Sequence, residues 1–86
     1  MKSIYKFYGS NCQPCKRLSI LLEKMNLPPD VEIVPLNIVD HMDFALKNGI
    51  SSVPVLMNEN GDKLIGLKTP KEILVFINGG LNEIPN

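Results

Sequence analysis

The chain has no tryptophan, one histidine and two cysteines among its 86 residues. It has no surplus of charge either, because nine lysines and arginines face nine aspartates and glutamates. Without a broad positive field, no nucleic-acid partner is expected. Long apolar runs are missing too. The longest, Ile73 to Ile77, falls far short of the roughly 20 residues a membrane-spanning helix needs, so no membrane partner is expected. The N-terminal stretch MKSIYKFYGS carries a polar residue every second or third position and lacks the apolar core of a secretory signal. The expected location is the cytoplasm. In that reducing compartment a permanent disulfide is not favoured. The scarcity of donors also bears on metals. A structural zinc takes about four ligands, whereas the chain offers Cys12, Cys15 and His41, and His41 sits in no ligand-spaced motif. No metal site within one chain is expected.

What is present suits one small globular domain covering residues 1–86, with 44% apolar residues. Ile4 to Tyr8 (IYKFY) reads as a strand stopped by Gly9-Ser10. From Pro14 onward Leu18, Leu21, Leu22 and Met25 recur at helical spacing, as core residues of a helix ended by Asn26 and Pro28-Pro29. Val31 to Ile38 (VEIVPLNI) is a second strand. Pro35 removes a ladder donor and places it at a sheet edge. Asp40 is expected to cap a short helix that ends before Gly49. Val53 to Met57 reads as a third strand, Asn60-Gly61 as a hairpin turn and Lys63 to Leu67 as the antiparallel return. Thr69-Pro70-Lys71-Glu72 is a capping box, so ILVFI is read as helix despite its strand-like composition, with Gly79-Gly80 beyond its end. The order βαβαββα predicts an α/β fold with a four-stranded mixed sheet flanked by three helices.

Both cysteines lie in SNCQPCKR. Cys12 falls where the first strand has ended and the first helix begins. The unpaired N–H groups and positive dipole end of a helix start favour a thiolate over a thiol. Cys12 is therefore the candidate exposed nucleophile. Cys15, three residues on, shares its helical face one turn deeper and can resolve a mixed disulfide formed at Cys12. Pro14 fits the first turn, where no helical partner awaits its missing N–H, and stiffens the segment between the sulfurs. The C-x-x-C inside a strand–helix–strand pattern points to dithiol redox chemistry. A metal or iron–sulfur carrier bridging two copies through both cysteines is the alternative of another class.

Cys12-Gln13-Pro14-Cys15-Lys16 after the first strand, Ser52-Val53-Pro54 before the third, the Asn60-Gly61 hairpin and Gly66 before the last helix together resemble the thioredoxin/glutaredoxin superfamily. The resemblance covers nearly the whole chain. It implies a thioredoxin-like fold, thiol–disulfide oxidoreductase activity, a redox-active disulfide and no further cofactor. It also implies that Pro54 faces the dithiol in the cis form, and that Val53, held extended before it, pairs with the backbone of a disulfide-containing protein substrate. Cys-Gln-Pro-Cys-Lys is thioredoxin-like. The short chain and Tyr8-Gly9 are glutaredoxin-like. Thioredoxin's tryptophan before the first cysteine is replaced by Asn11, and its buried carboxylate by Lys6. The glutaredoxin grip on glutathione is incomplete around Gly66-Leu67-Lys68-Thr69, where Lys68 and Thr69 remain as an anion contact. The implied electron source is thioredoxin reductase or, as co-substrate in the glutaredoxin alternative, glutathione. Electron donation to ribonucleotide reductase and a monomeric state belong to the same resemblance. Lys6 has two readings: an aliphatic stem along apolar surface with its ammonium in water, or a charge that eases deprotonation of Cys15. For Lys16 a solvated helix face is expected over electrostatic help to Cys12.

Overall fold

In the computed structural model, residues 1–79 are described. The elements run β1 (Lys2–Tyr8), α1 (Gln13–Lys24), β2 (Val31–Asn37), α2 (Met42–Lys47), β3 (Val55–Met57), β4 (Lys63–Ile65) and α3 (Pro70–Ile77). This is the predicted order and the predicted α/β architecture. The strands form one sheet in the order β2-β1-β3-β4. β1 pairs parallel with β2 and antiparallel with β3, and β3 pairs antiparallel with β4. β2 lies at the edge, as Pro35 requires: a residue with no N–H to donate is tolerated where one side of the strand has no partner.

The pleat sorts the core into two layers, since successive side chains of a strand leave on opposite faces. Ile4 and Leu56 join Leu18 and Leu22 of α1 and Ile73, Phe76 and Ile77 of α3 in one cluster. Phe7, Val55 and Met57 join Ala45 of α2 and Ile50 in the other. The ring of Phe44 on α2 packs edge-on to Tyr5, with centroids 5.6 Å apart, and tilted against Phe7 at 5.8 Å. β1 therefore runs through the middle of the molecule with both faces covered. Its C-terminal end carries the loop to α1 and hence the cysteines.

Several boundaries depart from the sequence reading. β1 starts at Lys2 rather than Ile4, β2 ends at Asn37 rather than Ile38, and β4 ends at Ile65 rather than Leu67. Two further shifts have a visible cause. Asp40 does not cap α2; the helix starts one residue later behind His41, with no side-chain cap. Asn37 causes the delay. Its Oδ1 accepts the Val39 N–H at 2.9 Å and its carbonyl accepts the His41 N–H at 3.1 Å, so a turn occupies the segment where Asp40 would have begun the helix. The third strand starts at Val55 rather than Val53, because Val53 and Pro54 form a bend ahead of it.

The other signals hold. Asn58 organises the hairpin: its Oδ1 accepts from the N–H of Asn60 and of Asp62, both at 2.9 Å, while Gly61 takes a positive φ of 87°. The Thr69–Glu72 capping box is formed in both directions. Glu72 is held below the usual carboxylate range, first by the Thr69 backbone N–H and then by its hydroxyl. Composition alone would make ILVFI a strand; the box in front of it and its burial against Ile4 and Leu56 make it α3. Of the Gly79-Gly80 pair, Gly79 has φ of 86°, and Gly80 lies outside the described residues.

Candidate active site

β1 ends at Tyr8, and three residues separate it from Cys12. Turning the chain from strand to helix within that span takes a left-handed residue. Asn11 supplies it with φ of 56°, a conformation asparagine tolerates better than most side chains. Cys12 then stands at the N-cap of α1 with extended backbone (φ −107°, ψ 103°), and its carbonyl accepts the first helical bond from Lys16 N–H at 3.1 Å. Its Sγ accepts the N–H of Cys15 at 3.2 Å. A sulfur thus takes the place usually held by a serine or aspartate oxygen, and it meets an otherwise unpartnered donor of the helix start. Pro14 occupies the first turn, where no helical bond is lost.

Cys12 and Cys15 are joined in a disulfide, with Cα atoms 5.2 Å apart. Their exposures differ. Cys12 is partly exposed, whereas Cys15 retains 3% of its accessible surface. The outer sulfur faces solvent and the inner one faces the protein, so an incoming thiol or disulfide reaches Cys12 first.

Val53 and Pro54 lie at the same end of the sheet. The antiparallel register pairs Phe7 with Val55, so Pro54 and Val53 continue alongside Tyr8 and Gly9. A side chain on Gly9 would come within 3.3 Å of Val53 Cγ2; glycine there lets the two segments approach. The Val53–Pro54 peptide bond is cis. The Pro54 carbonyl accepts the Gly66 N–H at 2.9 Å, and among the described residues no backbone hydrogen bond engages the N–H or C=O of Val53.

Lys6 is half-buried on the α1 face of the sheet. Its Nζ donates to Ser19 Oγ at 2.6 Å and lies 6.0 Å from the centroid of the half-buried Tyr8 ring, at the limit of a cation–π contact. Burial lowers its pKa from the ordinary lysine value, against the opposing pull of Glu23. The ammonium is therefore directed to α1 rather than simply left in water. Ser19 carried no signal in the sequence reading; it follows Cys15 by four residues and so shares its helix face, a relation that matters only once Lys6 is known to lie beneath. Lys16 is exposed. A largely apolar groove of about 540 Å³ opens beside the disulfide, lined among others by Tyr8, Asn11, Cys15, Ser19 and Ile20.

Lys68 and Thr69 are not brought to the disulfide as a pair. Lys68 borders a separate groove of about 350 Å³ with Arg17, Ile20, Leu21, Lys24 and Leu67. The Thr69 N–H donates to Glu72 Oε1 at 3.1 Å and its hydroxyl to the same oxygen at 2.9 Å. An anion at this helix start would have to displace that carboxylate. Among the described residues no group of three or more His, Cys, Asp or Glu could hold a metal ion, and no helix is long and apolar enough to cross a membrane.

The thioredoxin family model matches residues 1–78. The chain is 35% identical over 80 residues to mitochondrial thioredoxin of Mus musculus, covering 86% of this chain and 48% of that protein. It is 34% identical over 77 residues to a thioredoxin of Chlamydia caviae, covering 84% of this chain and 76% of that one. It thus spans about half the length of the mitochondrial relatives it matches. Among solved structures, a mutant thioredoxin from Halobacterium salinarum superposes with a TM-score of 0.78 at 20% identity, over 98% of this chain and 78% of that one. Thioredoxin of Malassezia sympodialis gives 0.76 at 22% identity, over 92% and 74%. The two structures establish the likeness of fold.

Proposed function

The chain belongs to the thioredoxin family, and from that premise we propose that it is a thiol–disulfide oxidoreductase that reduces disulfides in protein substrates through Cys12 and Cys15. The observation that carries the reading is the N-cap geometry: Cys12 Sγ accepts a helix-start N–H while bonded to a buried partner sulfur. In the reduced protein the same N–H and the α1 dipole stabilise a thiolate at Cys12. That thiolate attacks one sulfur of the substrate disulfide. The substrate S–S bond breaks, a mixed disulfide forms at Cys12, and the released substrate sulfur takes a proton from solvent. Cys15 then attacks Cys12. The mixed disulfide breaks, the Cys12–Cys15 bond forms, and the second substrate thiol departs.

Val53 supplies the substrate platform in this scheme. Its backbone N–H and C=O, without a backbone partner among the described residues, lie beside the C-terminal end of β1 and can pair with an extended peptide as an added strand. Tyr8 borders the groove at Cys15. Pro14 fixes the first turn of α1, and Lys16 stays a solvated side chain of that turn.

The electron source divides the thioredoxin from the glutaredoxin reading. The Thr69 N–H and hydroxyl are already bound to Glu72, which leaves Lys68 as the only cation of that pair to meet a glutathione carboxylate. Thioredoxin reductase is therefore the proposed donor, the cytoplasm the proposed location, a monomer the proposed state and ribonucleotide reductase one proposed acceptor. Turnover of a protein disulfide is expected to be faster with NADPH and thioredoxin reductase than with glutathione and its reductase. Faster turnover with glutathione would reverse the assignment, and no turnover with either would refute the activity.

A further inference from the structure

Lys6 is a cation on the central strand, on the face that α1 covers, and the sheet gives it no partner. Its register neighbours are Pro35 on β2 and Leu56 on β3. Beyond them on that face lie the apolar side chains of α3. The polar groups that meet it come from α1 and from its own strand: Ser19 Oγ at 2.6 Å, the ring of Tyr8, and Glu23 through its charge. Ser19 lies four residues past Cys15, one helical turn along the same face. Cys15 and Ser19 also line one wall of the same groove. The hydrogen bond therefore ties the ammonium to a residue four positions along α1 from the inner sulfur, a rise of roughly 6 Å along the helix axis. In the disulfide state that sulfur carries no charge, and burial leaves Lys6 with a depressed pKa.

Resting on the oxidoreductase reading, we infer that Lys6 is a positioning residue for the second sulfur: tethered by Ser19, its ammonium stabilises the thiolate of Cys15 once the disulfide has opened. The step balances without a further reactant. The Cys15 thiol loses its proton to water in the groove, and the thiolate attacks the Cys12 sulfur of the mixed disulfide. The Cys12–substrate bond breaks, its electron pair leaves on the substrate sulfur, and solvent protonates that sulfur. Lys6 keeps its proton throughout.

The electrostatics fix the sign. An opposite charge within about 4–6 Å favours the ionised form of an acidic group, lowering its pKa by about 1–3 units in the case of a carboxylate beside an arginine. The ammonium favours the reduced protein only while Cys15 is ionised and Lys6 is charged, that is, above the thiol pKa and below the lysine pKa. Linkage makes the effect mutual: opening the disulfide raises the pKa of Lys6.

The test uses Lys6→Met, which keeps the length of the stem, and Lys6→Arg, which keeps the charge. In a Cys12→Ser background the lone Cys15 is titrated by the ultraviolet absorbance of its thiolate. Lys6→Met is expected to raise the Cys15 pKa by about 1 unit or more, and Lys6→Arg to leave it near the parent value. With both cysteines present, Lys6→Met is expected to shift the reduction equilibrium toward the disulfide by about tenfold at alkaline pH, equal to about 30 mV for two electrons. The difference should vanish at acid pH, where both thiols are protonated. An unchanged Cys15 pKa, or a potential difference independent of pH, would overturn the inference and leave only a structural role for Lys6. Failure of the oxidoreductase reading shows separately, as parent protein that reduces no protein disulfide.

Discussion

Cys12→Ser protein is expected to lose disulfide-reducing activity altogether, whereas Cys15→Ser protein is expected to stall as a covalent adduct with its substrate. The asymmetry follows from burial and capping. Cys12 is the partly exposed sulfur at the start of α1 and accepts the Cys15 N–H, so it alone is both reachable and electrostatically activated. A serine there has no accessible anion at neutral pH and cannot exchange with sulfur. Cys15 has 3% of its surface accessible and reaches only the sulfur above it. Removing it leaves the first attack intact and eliminates the resolving step. Non-reducing electrophoresis with a protein disulfide substrate reads both outcomes. Full activity in Cys12→Ser protein, or an adduct trapped on Cys15 instead, would invert the roles.

Phe7→Ala is expected to bring the domain close to unfolding at room temperature. Phe7 is fully buried on the central strand, with Ala45, Ile50, Val55 and Met57 around it and the Phe44 ring 5.8 Å away. Truncating a buried phenylalanine costs about 3–5 kcal/mol, because the transfer free energy is lost and a cavity remains. Small domains hold only about 0.05–0.15 kcal/mol of stability per residue. In a chain this short the loss removes a large share of the total. Urea titration should show a much lower midpoint with little change in slope. A loss under about 1 kcal/mol would mean that α2 closes over the gap, and that the second core layer is softer than its burial implies. The site would suffer too, because Phe7 lies on the strand whose end delivers the loop to Cys12.

Much of this was legible in the sequence because local chemistry and the global fold agree. The aromatic and β-branched run at Ile4–Tyr8, the helical recurrence of Leu18 and Leu22, the edge proline at Pro35 and the capping box at Thr69 each specify an element that tertiary packing then keeps. The start of α2 was misplaced for a physical reason. Asp40 and Asn37 both compete for nearby N–H groups, and which one wins depends on where β2 ends, a matter settled by pairing with β1. The dithiol was legible because the two-residue spacing falls between a strand end and a helical pattern, which puts both sulfurs at a helix start. The tether of Lys6 to Ser19 was not, since it joins positions 13 residues apart across a strand–helix contact, and no periodicity links them. Asn11 was read for the side chain it replaces. Its structural part lies in backbone freedom at a left-handed turn.

The proposed activity depends on the ionisation of one sulfur at the head of α1. The direct measurement is the pH dependence of iodoacetamide alkylation of the fully reduced protein, with the modified residue identified by peptide mapping. Cys12 is predicted to react first, with half-maximal rate at or below about pH 7.5, well under the roughly 8.5 of a free cysteine. Half-maximal alkylation near the free value, or modification of Cys15 ahead of Cys12, would contradict it.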